Sequence, residues 1–363
     1  MKKIKEATNR ITGIDYKLME ITQNRLDNLT KPQGSLGRLE DLAKLIVGIT
    51  KKGNPELKNK IIFTLASDHG VAEEGISAYP KEVTAQMVYN FLRGGAGINV
   101  LAKHLGARVI VADFGVAEDL KDAKGLVIKK INYGTKNMAK GPAMTRNEAI
   151  RSIEAGIEVF EEEFSRNSGI PPKAGKNGID IIGTGDMGIG NTTASSAIAA
   201  VFTKAPVEDL TGRGTGIDDA ALKNKIRVIK EALKINNPDS NDPIDVLSKV
   251  GGFEIGGLTG IILAAASKRV PVVIDGFISG AAALVAYHLE PNVKDYMIAG
   301  HCSVEKGHRA ILNHLGLKPL LDLELRLGEG TGAALAMSVI EASVKILTQM
   351  ATFKSAAVSE RIK

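Results

Sequence analysis

Short apolar runs alternate along the chain with longer segments in which apolar positions recur at helical spacing. The first run, residues 60–67, predicts a buried strand that ends in the polar residues Asp68-His69-Gly70. Similar runs that predict strands follow at residues 108–112, 125–131, 179–182, 270–274 and 296–299. Several of them end in Gly, Asp or His and lead into a helical pattern. This alternation favours a mainly parallel sheet covered by helices.

Helical periodicity also marks both ends of the chain. Residues 15–49 predict two helical segments broken at Lys31-Pro32-Gln33-Gly34, with Ser35 as the cap of the second segment. Residues 331–350 predict a helix with one apolar face. We therefore expect an α/β fold with a large catalytic domain, residues 55–334. A small helical domain is expected from residues 1–54 together with 335–363.

The middle of the chain carries further helix and loop signals. Thr145 and Glu148 have the spacing of a capping box, which predicts the start of a helix that runs to about Phe164. The segment 165–177 contains Pro171-Pro172 and several charges, and it predicts a surface loop. A second loop is predicted at residues 236–243, before a short helix.

Composition narrows the class of protein. The 363 residues are 44% hydrophobic and 24% charged, which is ample for a core and normal for a soluble surface. Aromatic residues make up only 4% of the chain. The net charge is +6, but the basic residues are interleaved with acidic ones along the chain. Both features argue against a nucleic-acid-binding surface. The single cysteine, Cys302, excludes an intrachain disulfide, and Met1-Lys2-Lys3-Ile4-Lys5 precedes no apolar signal segment. We expect a cytoplasmic protein without membrane spans.

The first segment that could bind a ligand or carry chemistry is residues 183–193, Gly-Thr-Gly-Asp-Met-Gly-Ile-Gly-Asn-Thr-Thr. It follows a predicted strand and opens a helix predicted at 192–202, so its glycines could bring backbone amides to a phosphate. It also contains the G-x-G-x-x-G pattern of dinucleotide sites. No second strand ending in an acid follows about 20 residues later, which counts against NAD. A tight turn without a ligand remains the alternative.

Two later glycine-rich segments suit a phosphate as well. Residues 212–219 combine Gly, Thr and Arg213 before a helix that contains Lys225, although the segment could equally be a flexible loop with Asp218 and Asp219 as helix caps. Residues 300–309 follow a strand, and Ser303 could cap the next helix or donate to a phosphate. The spacing of His301, Cys302 and His308 matches no common zinc signature.

A carboxylate among glycines is the most unusual feature. Glu329 lies in Leu-Arg-Leu-Gly-Glu-Gly-Thr-Gly, residues 325–332, just before an apolar helix. Apolar surroundings would raise its pKa and make it a better proton acceptor. The alternative is a first-turn glutamate that satisfies a helix N-terminus.

Residues 67–87 are a further segment that could contribute catalytic or ligand-binding side chains. Asp68-His69 could be an acid–base pair or could order the loop through hydrogen bonds. The side chains that could line an apolar slot nearby, or else belong to the core, are Tyr79, Pro80, Gln86 and Met87.

Taken together, these segments resemble the nicotinate-nucleotide–dimethylbenzimidazole phosphoribosyltransferase family, which acts in nucleotide loop assembly during cobalamin (vitamin B12) biosynthesis. The matching pieces run in family order: Lys31-Pro32-Gln33-Gly34-Ser35-Leu36-Gly37-Arg38-Leu39-Glu40, Asp68-His69-Gly70-Val71, Pro80-Lys81-Glu82-Val83-Thr84, Gly188-Ile189-Gly190-Asn191-Thr192-Thr193, residues 212–219, Val273-Ile274-Asp275-Gly276-Phe277 and Leu327-Gly328-Glu329-Gly330-Thr331-Gly332. Each piece alone is weak, but the ordered set is specific and covers nearly the whole chain.

The resemblance implies a Rossmann-like sheet with helices on both faces, a homodimer and a reaction that needs no metal or cofactor. It implies that Glu329 is the general base. The implied contacts of the nicotinate nucleotide are Asp186, Gly188, Gly190, Asn191, Thr192, Gly214, Lys225, Asp275 and Ser303. Those of the benzimidazole are Tyr79, Pro80, Gln86, Met87 and Leu327. Asp186 stands where many relatives have Glu, and Tyr79 stands where some have Ser.

The implied reaction transfers the phosphoribosyl group of nicotinate mononucleotide to 5,6-dimethylbenzimidazole, giving α-ribazole 5′-phosphate and nicotinate. Two other functions stay open from the residues alone: an NAD-dependent oxidoreductase, based on the 183–188 pattern, and a non-catalytic nucleotide-binding protein. The Glu329 segment speaks against both, because neither needs a carboxylate among glycines opposite a phosphate site.

Overall fold

The computed structural model describes residues 1–120, 123–168 and 178–359. In these ranges the strands are Lys60–Ser67 (β1), Arg108–Gly115 (β2), Val127–Ile128 (β3), Ile181–Met187 (β4), Val272–Ile274 (β5) and Met297–Ala299 (β6). They form one sheet in the order β3-β2-β1-β4-β5-β6, and all the neighbouring pairs are parallel. Each strand lies at a position that the apolar runs predict, and the expected parallel α/β fold is confirmed.

Helices of very different length surround this sheet. In the described ranges they are Lys2–Thr8 (α1), Tyr16–Asp27 (α2), Arg38–Thr50 (α3), Val83–Arg93 (α4), Gly97–Leu105 (α5), Arg146–Ser168 (α6), Asn191–Thr203 (α7), Val207–Leu210 (α8), Asp219–Asn236 (α9), Pro243–Val250 (α10), Phe253–Ser267 (α11), Phe277–Leu289 (α12), Lys306–Leu315 (α13), Thr331–Gln349 (α14) and Phe353–Ala356 (α15). Two short 3₁₀ helices lie at Gly70–Glu74 and Pro291–Tyr296.

Both faces of the sheet are covered, as strand β1 illustrates. Ile61, Phe63 and Leu65 point to one face, where the core contains helices α6, α11 and α12. Ile62 and Ala66 point to the opposite face, where the core contains α3, α4, α5 and α14. Side chains alternate along a strand, so a strand buried on both faces must be apolar at nearly every position. This explains why β1 is a continuous apolar run.

Helices from the two chain ends pack together. Leu26 and Leu29 share a separate small apolar cluster with Val47 of α3 and Leu347 of α14. Helix α14 also runs past residue 334, and its first half packs on the sheet through Met337. The division into residues 1–54 with 335–363 and residues 55–334 therefore stays a prediction, with one boundary inside a continuous helix.

Several local predictions need correction. Ser35 does not cap the second N-terminal helix, because α3 begins at Arg38 and Gly37, with a φ of 51°, occupies the capping position. The break at residues 31–34 is present, and Thr145 and Glu148 form the predicted capping box. Helix α6 continues to Ser168, so the first residues of the predicted loop 165–177 are helical, and residues 169–177 lie outside the described part.

Helix α14 is the one helix among the described residues that is long and apolar enough to cross a membrane. Its apolar side chains are used inside the protein: Met337 packs against the sheet, and Leu347 packs against α3. Its place in the core accounts for its composition.

The beginning of α14 is docked directly on strand β4. A Cβ atom on Gly185 would lie 2.2 Å from the carbonyl oxygen of Glu329 and 2.7 Å from the amide nitrogen of Gly330. The neighbouring strand adds a hydrogen bond of 2.9 Å from Thr64 Oγ1 to the same carbonyl oxygen. The glycines of β4 therefore allow the backbone before α14 to touch the strand.

We predict that Gly185→Ala lowers the free energy of unfolding by about 1–3 kcal/mol, because the added methyl group must displace a backbone segment. Gly53→Ala is the matched control, since a Cβ atom there meets nothing within 4 Å, and it should change stability by less than about 0.5 kcal/mol. Denaturant unfolding of both variants measures the difference. Equal stabilities of the two variants would contradict the close approach.

Candidate active site

A cavity of about 320 Å³ opens at the carboxyl ends of the strands. It lies where the chain order of the sheet reverses, beside β1 and β4, which is the point at which open α/β sheets bind their ligands. We call it the switch-point cavity. Its lining residues are Ile76, Ser77, Tyr79, Asp186, Met187, Gly188, Ile189, Gly190, Asn191, Thr192, Gly214, Thr215, Gly276, Phe277, Ile278, His301, Ser303, Glu305, Arg326, Leu327 and Gly328.

One end of the switch-point cavity is basic. The buried Lys225 donates from Nζ to Thr192 Oγ1 at 2.8 Å and lies behind the lining residues Thr192 and Gly214. Arg326 reaches the same place from the other side and donates to the carbonyl oxygen of Gly214 at 3.0 Å. Burial lowers the pKa of Lys225 from 10.5 to about 8, although the carboxylate of Glu305 opposes this shift. Together with the N-terminus of α7, these cations suit an anionic group.

The other end contains Asp186, the last but one residue of β4. The carboxyl group accepts a hydrogen bond of 2.9 Å from Asn191 Nδ2 on Oδ2. Its Oδ1 atom is buried and has no hydrogen-bond partner among the described residues. Burial, reinforced by the charges of Asp275, Glu254 and Glu329, raises the pKa of Asp186 well above its usual range.

Asp275, which follows β5, lies below this end and does not line the cavity. Its Oδ1 accepts from the amide of Ala333 at 2.9 Å, and its Oδ2 accepts from the amide of Gly330 at 3.2 Å. Burial raises its pKa to about 7 in spite of these hydrogen bonds. In this geometry Asp275 holds the start of α14 in place, and the predicted contact with the nucleotide stays a prediction.

Glu329 is held in an unusual backbone conformation. Its φ is 63°, between Gly328 at 78° and Gly330 at 99°, and a non-glycine residue in this left-handed region costs roughly 1–2 kcal/mol. The buried side chain accepts a hydrogen bond of 3.0 Å on Oε2 from the amide of Ile98, at the start of α5. Its pKa is raised by burial, as the sequence predicts, and this hydrogen bond opposes the shift.

Glu329 lies beside the switch-point cavity and not in its lining. Its neighbour Gly328 lines the cavity, and a Cβ atom on Gly328 would lie 3.3 Å from Asp186 Oδ2. Oε1 of Glu329 accepts none of the hydrogen bonds of the described residues, so it is available to a ligand proton. The alternative prediction, a glutamate at a helix N-terminus, is thus partly correct, but the helix is α5 and not α14.

Asp68 and His69 do not form an acid–base pair with each other. Asp68 Oδ2 accepts from the amide of Ala117 at 2.7 Å, which orders the loop after β1. His69 Nε2 lies 2.7 Å from Glu254 Oε1, and both side chains are fully buried. Burial lowers the pKa of His69, but the Glu254 carboxylate outweighs it and raises that pKa overall. The pair packs below the turn at Gly190, where a Cβ atom would lie 3.1 Å from His69 Cβ.

The structure brings together most of the predicted nucleotide residues. Those that line the cavity are Asp186, Gly188, Gly190, Asn191, Thr192, Gly214 and Ser303. Tyr79 and Leu327 stand at its rim, with 54% and 59% of their surface exposed. Pro80, Gln86 and Met87 do not line it: Pro80 and Gln86 are exposed, and Met87 packs against the core.

Sequence reasoning missed three charged residues. Glu305 and Arg326 line the cavity, and each lies within a segment that was already of interest, so the neighbourhood of Ser303 and Glu329 could have indicated them. Glu254 lies in the apolar helix α11, and its partner His69 is 185 residues away in the chain. No local signal connects those two.

The glycine pattern 183–188 does not form a dinucleotide turn. The strand predicted at 179–182 extends to Met187, so Gly183 and Gly185 lie within β4 and face α14. The turn begins only after Met187, and helix α7 follows at Asn191. Residues 1–120, 123–168 and 178–359 contain no group of three or more His, Cys, Asp or Glu that could hold a metal ion.

The fold is that of an α/β protein of the doubly wound class, with a cavity at the switch point whose neighbouring cations suit an anionic group. A sequence model described as "Phosphoribosyltransferase" matches residues 11–358. The chain belongs to this phosphoribosyltransferase family.

Individual relatives are similar over almost their whole length. Two relatives are named nicotinate-nucleotide–dimethylbenzimidazole phosphoribosyltransferase. The protein of Geobacter sulfurreducens is 57% identical over 355 residues, and that of Desulforudis audaxviator is 57% identical over 357 residues. Each alignment covers 98% of this chain and 98% of the relative. The crystal structure of the enzyme of that name from Thermus thermophilus superposes with a TM-score of 0.88 at 42% identity, covering 96% of this chain and 100% of the other.

We predict that Asp186→Asn changes stability in a pH-dependent way. The carboxyl of Asp186 has a higher pKa in the folded chain than in the unfolded chain, so its contribution to stability is present at low pH and is lost as pH rises through the folded pKa. The amide does not titrate, so the variant should gain stability relative to the unsubstituted protein between pH 5 and pH 8. Denaturant unfolding at both pH values tests this. A difference that does not change with pH would contradict the raised pKa.

Proposed function

We propose that the protein transfers the phosphoribosyl group of nicotinate mononucleotide to 5,6-dimethylbenzimidazole, with α-ribazole 5′-phosphate and nicotinate as products. The observation that carries this proposal is the position of Glu329. Its carboxylate is held rigidly beside a cavity whose far end contains Lys225, Thr192 and the N-terminus of α7. The names of the full-length relatives support the same reaction.

In this mechanism the cationic end of the cavity holds the phosphate. Lys225 supplies the buried charge, and the amides at the start of α7 supply hydrogen bonds. The lining residues Gly188, Gly190, Asn191, Gly214 and Ser303 surround the rest of the nucleotide, and Asp186 lies at the ribose. Anchoring the phosphate fixes the position of C1′, which makes the transfer effectively intramolecular.

The leaving group needs no acid. In nicotinate mononucleotide the glycosidic nitrogen belongs to a pyridinium ring, so bond cleavage neutralises that nitrogen. The benzimidazole attacks C1′ through one ring nitrogen from the opposite face, and Glu329 accepts the proton from the other nitrogen. Attack from the opposite face inverts C1′ and gives the α-riboside. Tyr79 and Leu327 border the acceptor, and Pro80, Gln86 and Met87 are assigned to it by the resemblance alone.

The same proposal includes the pathway, the compartment and the oligomeric state. The reaction serves the assembly of the lower ligand of cobalamin, and the enzyme acts in the cytoplasm as a homodimer. The free cysteine Cys302 is buried, which suits a reducing compartment. The reaction uses no redox step, so it calls for no cofactor.

A direct assay separates this reaction from the two alternatives. The protein is mixed with nicotinate mononucleotide and 5,6-dimethylbenzimidazole, and free nicotinate and the α-riboside phosphate are measured. A non-catalytic nucleotide-binding protein would bind the nucleotide and release no nicotinate. A dehydrogenase would instead give a hydride-transfer absorbance change with NAD, but Gly183 and Gly185 lie inside a strand and do not suit that cofactor.

We predict that Glu329→Gln lowers kcat by about 10²–10⁴ at neutral pH, because a general base contributes a factor of this size. The affinity for nicotinate mononucleotide should stay within about twofold, since the amide keeps the shape of the side chain. Glu324→Gln is the control, since this exposed glutamate lies five residues earlier in the same loop. A folded Glu329→Gln protein with undiminished turnover would exclude Glu329 as the base.

We predict that Lys225→Ala raises the Kd for nicotinate mononucleotide by at least about tenfold, because a charge-assisted hydrogen bond of about 1.5–3 kcal/mol is lost. The affinity for the benzimidazole should change little. Lys223→Ala removes an exposed lysine from the same helix and serves as the control. Calorimetric titration measures both affinities, and an unchanged nucleotide affinity would remove Lys225 from the site.

A further inference from the structure

Charges of both signs border the switch-point cavity, and the carboxylate of Glu305 acts on Lys225. Lys225 and Arg326 meet at Gly214, next to the start of α7. The other end contains Asp186, and the carboxyl groups of Asp275, Glu254 and Glu329 act on it electrostatically. A nucleotide with a phosphate and a positively charged pyridinium nitrogen matches this arrangement if the phosphate lies near Gly214 and the ribose carbon that bears the ring lies at Asp186.

The carboxyl groups at the acidic end differ in their hydrogen bonds. Asp275 accepts backbone N–H groups on both oxygens, and Glu329 accepts one. Glu254 contacts His69. Such donors favour the ionised form of a carboxyl group.

Of these four carboxyl groups, Asp186 has the weakest hydrogen-bond donors to stabilise its ionised form. One neutral side-chain amide, from Asn191, contacts Oδ2, and Oδ1 is buried without a partner among the described residues. The groups around it come from several neighbouring elements: Asn191 from α7, Asp275 after β5, Glu254 from α11 with its partner His69 after β1, Glu329 before α14, and His301 after β6, whose Nε2 lies 3.8 Å from Asp275 Oδ1. Burial lowers the pKa of His301, and His69, whose pKa is raised, already contacts Glu254. An ionised Asp186 is therefore the most costly charge at this end.

We propose that Asp186 carries a proton in the free protein and releases it when a nucleotide with a positively charged pyridinium nitrogen binds, so that recognition of this nitrogen is coupled to proton release. This inference rests on the proposed function for the identity of the ligand. A positive ring at the acidic end supplies the partner that Asp186 lacks, and the carboxylate becomes the stable form. After transfer the base of the product is uncharged, and Asp186 takes a proton back from solvent.

The coupling fixes the direction of a pH effect. Binding lowers the pKa of Asp186, so the complex holds fewer protons than the free protein between the two pKa values. Affinity for nicotinate mononucleotide should then rise with pH by up to about tenfold per pH unit in this range. The measurement is best made below the pKa of about 8 of Lys225, because loss of its charge would weaken phosphate binding.

The test is calorimetry of the binary complex, without benzimidazole, at several pH values from 5 to 7.5, each in two buffers of different ionisation enthalpy. The two probes are nicotinate mononucleotide and uridine 5′-monophosphate, whose base is neutral. Both have a phosphate that titrates near pH 6, so the difference between them isolates the effect of the base. At one or more of these pH values we expect nicotinate mononucleotide to release more protons than uridine 5′-monophosphate, by at most one per site.

Variants identify the group. Asp186→Asn should abolish the excess, and Asp186→Glu should retain it because the side chain still titrates. Asp209→Asn, an exposed position on α8 outside the cavity lining, should behave as the unsubstituted protein. Equal proton release with both nucleotides overturns the proposal, even if Asp186→Asn does not fold. An excess that persists in folded Asp186→Asn also overturns it, because Asp275 or Glu329 must then be the source.

These outcomes are separate from those of the proposed function. Formation of the α-riboside phosphate without excess proton release refutes the role of Asp186 and leaves the transfer reaction intact. Excess proton release without transfer supports the role of Asp186 and refutes the transfer reaction. Failure of nicotinate mononucleotide to bind overturns both.

Discussion

The contact between Gly185 and the backbone of Glu329 and Gly330 is the constraint on which the site depends. Because β4 has no side chain at this point, the segment before α14 lies directly on the sheet. Thr64 and Asp275 then fix it by hydrogen bonds from two further strand segments. The left-handed conformation of Glu329 is tolerated because all three supports act on adjacent backbone groups. A carboxylate in a strained and buried position is thereby tied to the central sheet.

Fixed attachment to the fold also allows several carboxyl groups to lie close together around the cavity. Four carboxyl groups within one neighbourhood repel each other, and they can be kept there only if each is fixed by its own element. Asp186 belongs to a strand, Asp275 to the end of another strand, Glu254 to a core helix and Glu329 to the docked segment. The cations are Lys225, which contacts Thr192 of α7, and Arg326, which contacts Gly214. The fold holds these charges in fixed positions, so they favour a ligand whose own charges are complementary to them.

The sequence was sufficient for the architecture and for much of the site, and the reasons are local. Buried parallel strands are apolar at successive positions, so they stand out in the chain, and Glu329 stands out because glycines flank it. The extent of β4 was underestimated because Gly183 to Met187 contains two glycines and an aspartate, which are depleted in strands. The pairing of this segment with β1 as far as Ala66 and Met187 depends on tertiary structure. The failure of Ser35 as a cap has a similar origin, since Gly37 takes the position through its backbone conformation. The pairing of His69 with Glu254 depends on tertiary structure alone.

The exposed rim formed by Tyr79 and Leu327 has a consequence for how such proteins diverge. Exchanges at exposed side chains change stability little, whereas exchanges at Gly185 or around Glu329 disturb the backbone. Natural variation can therefore reshape the mouth of the cavity while its floor stays constant.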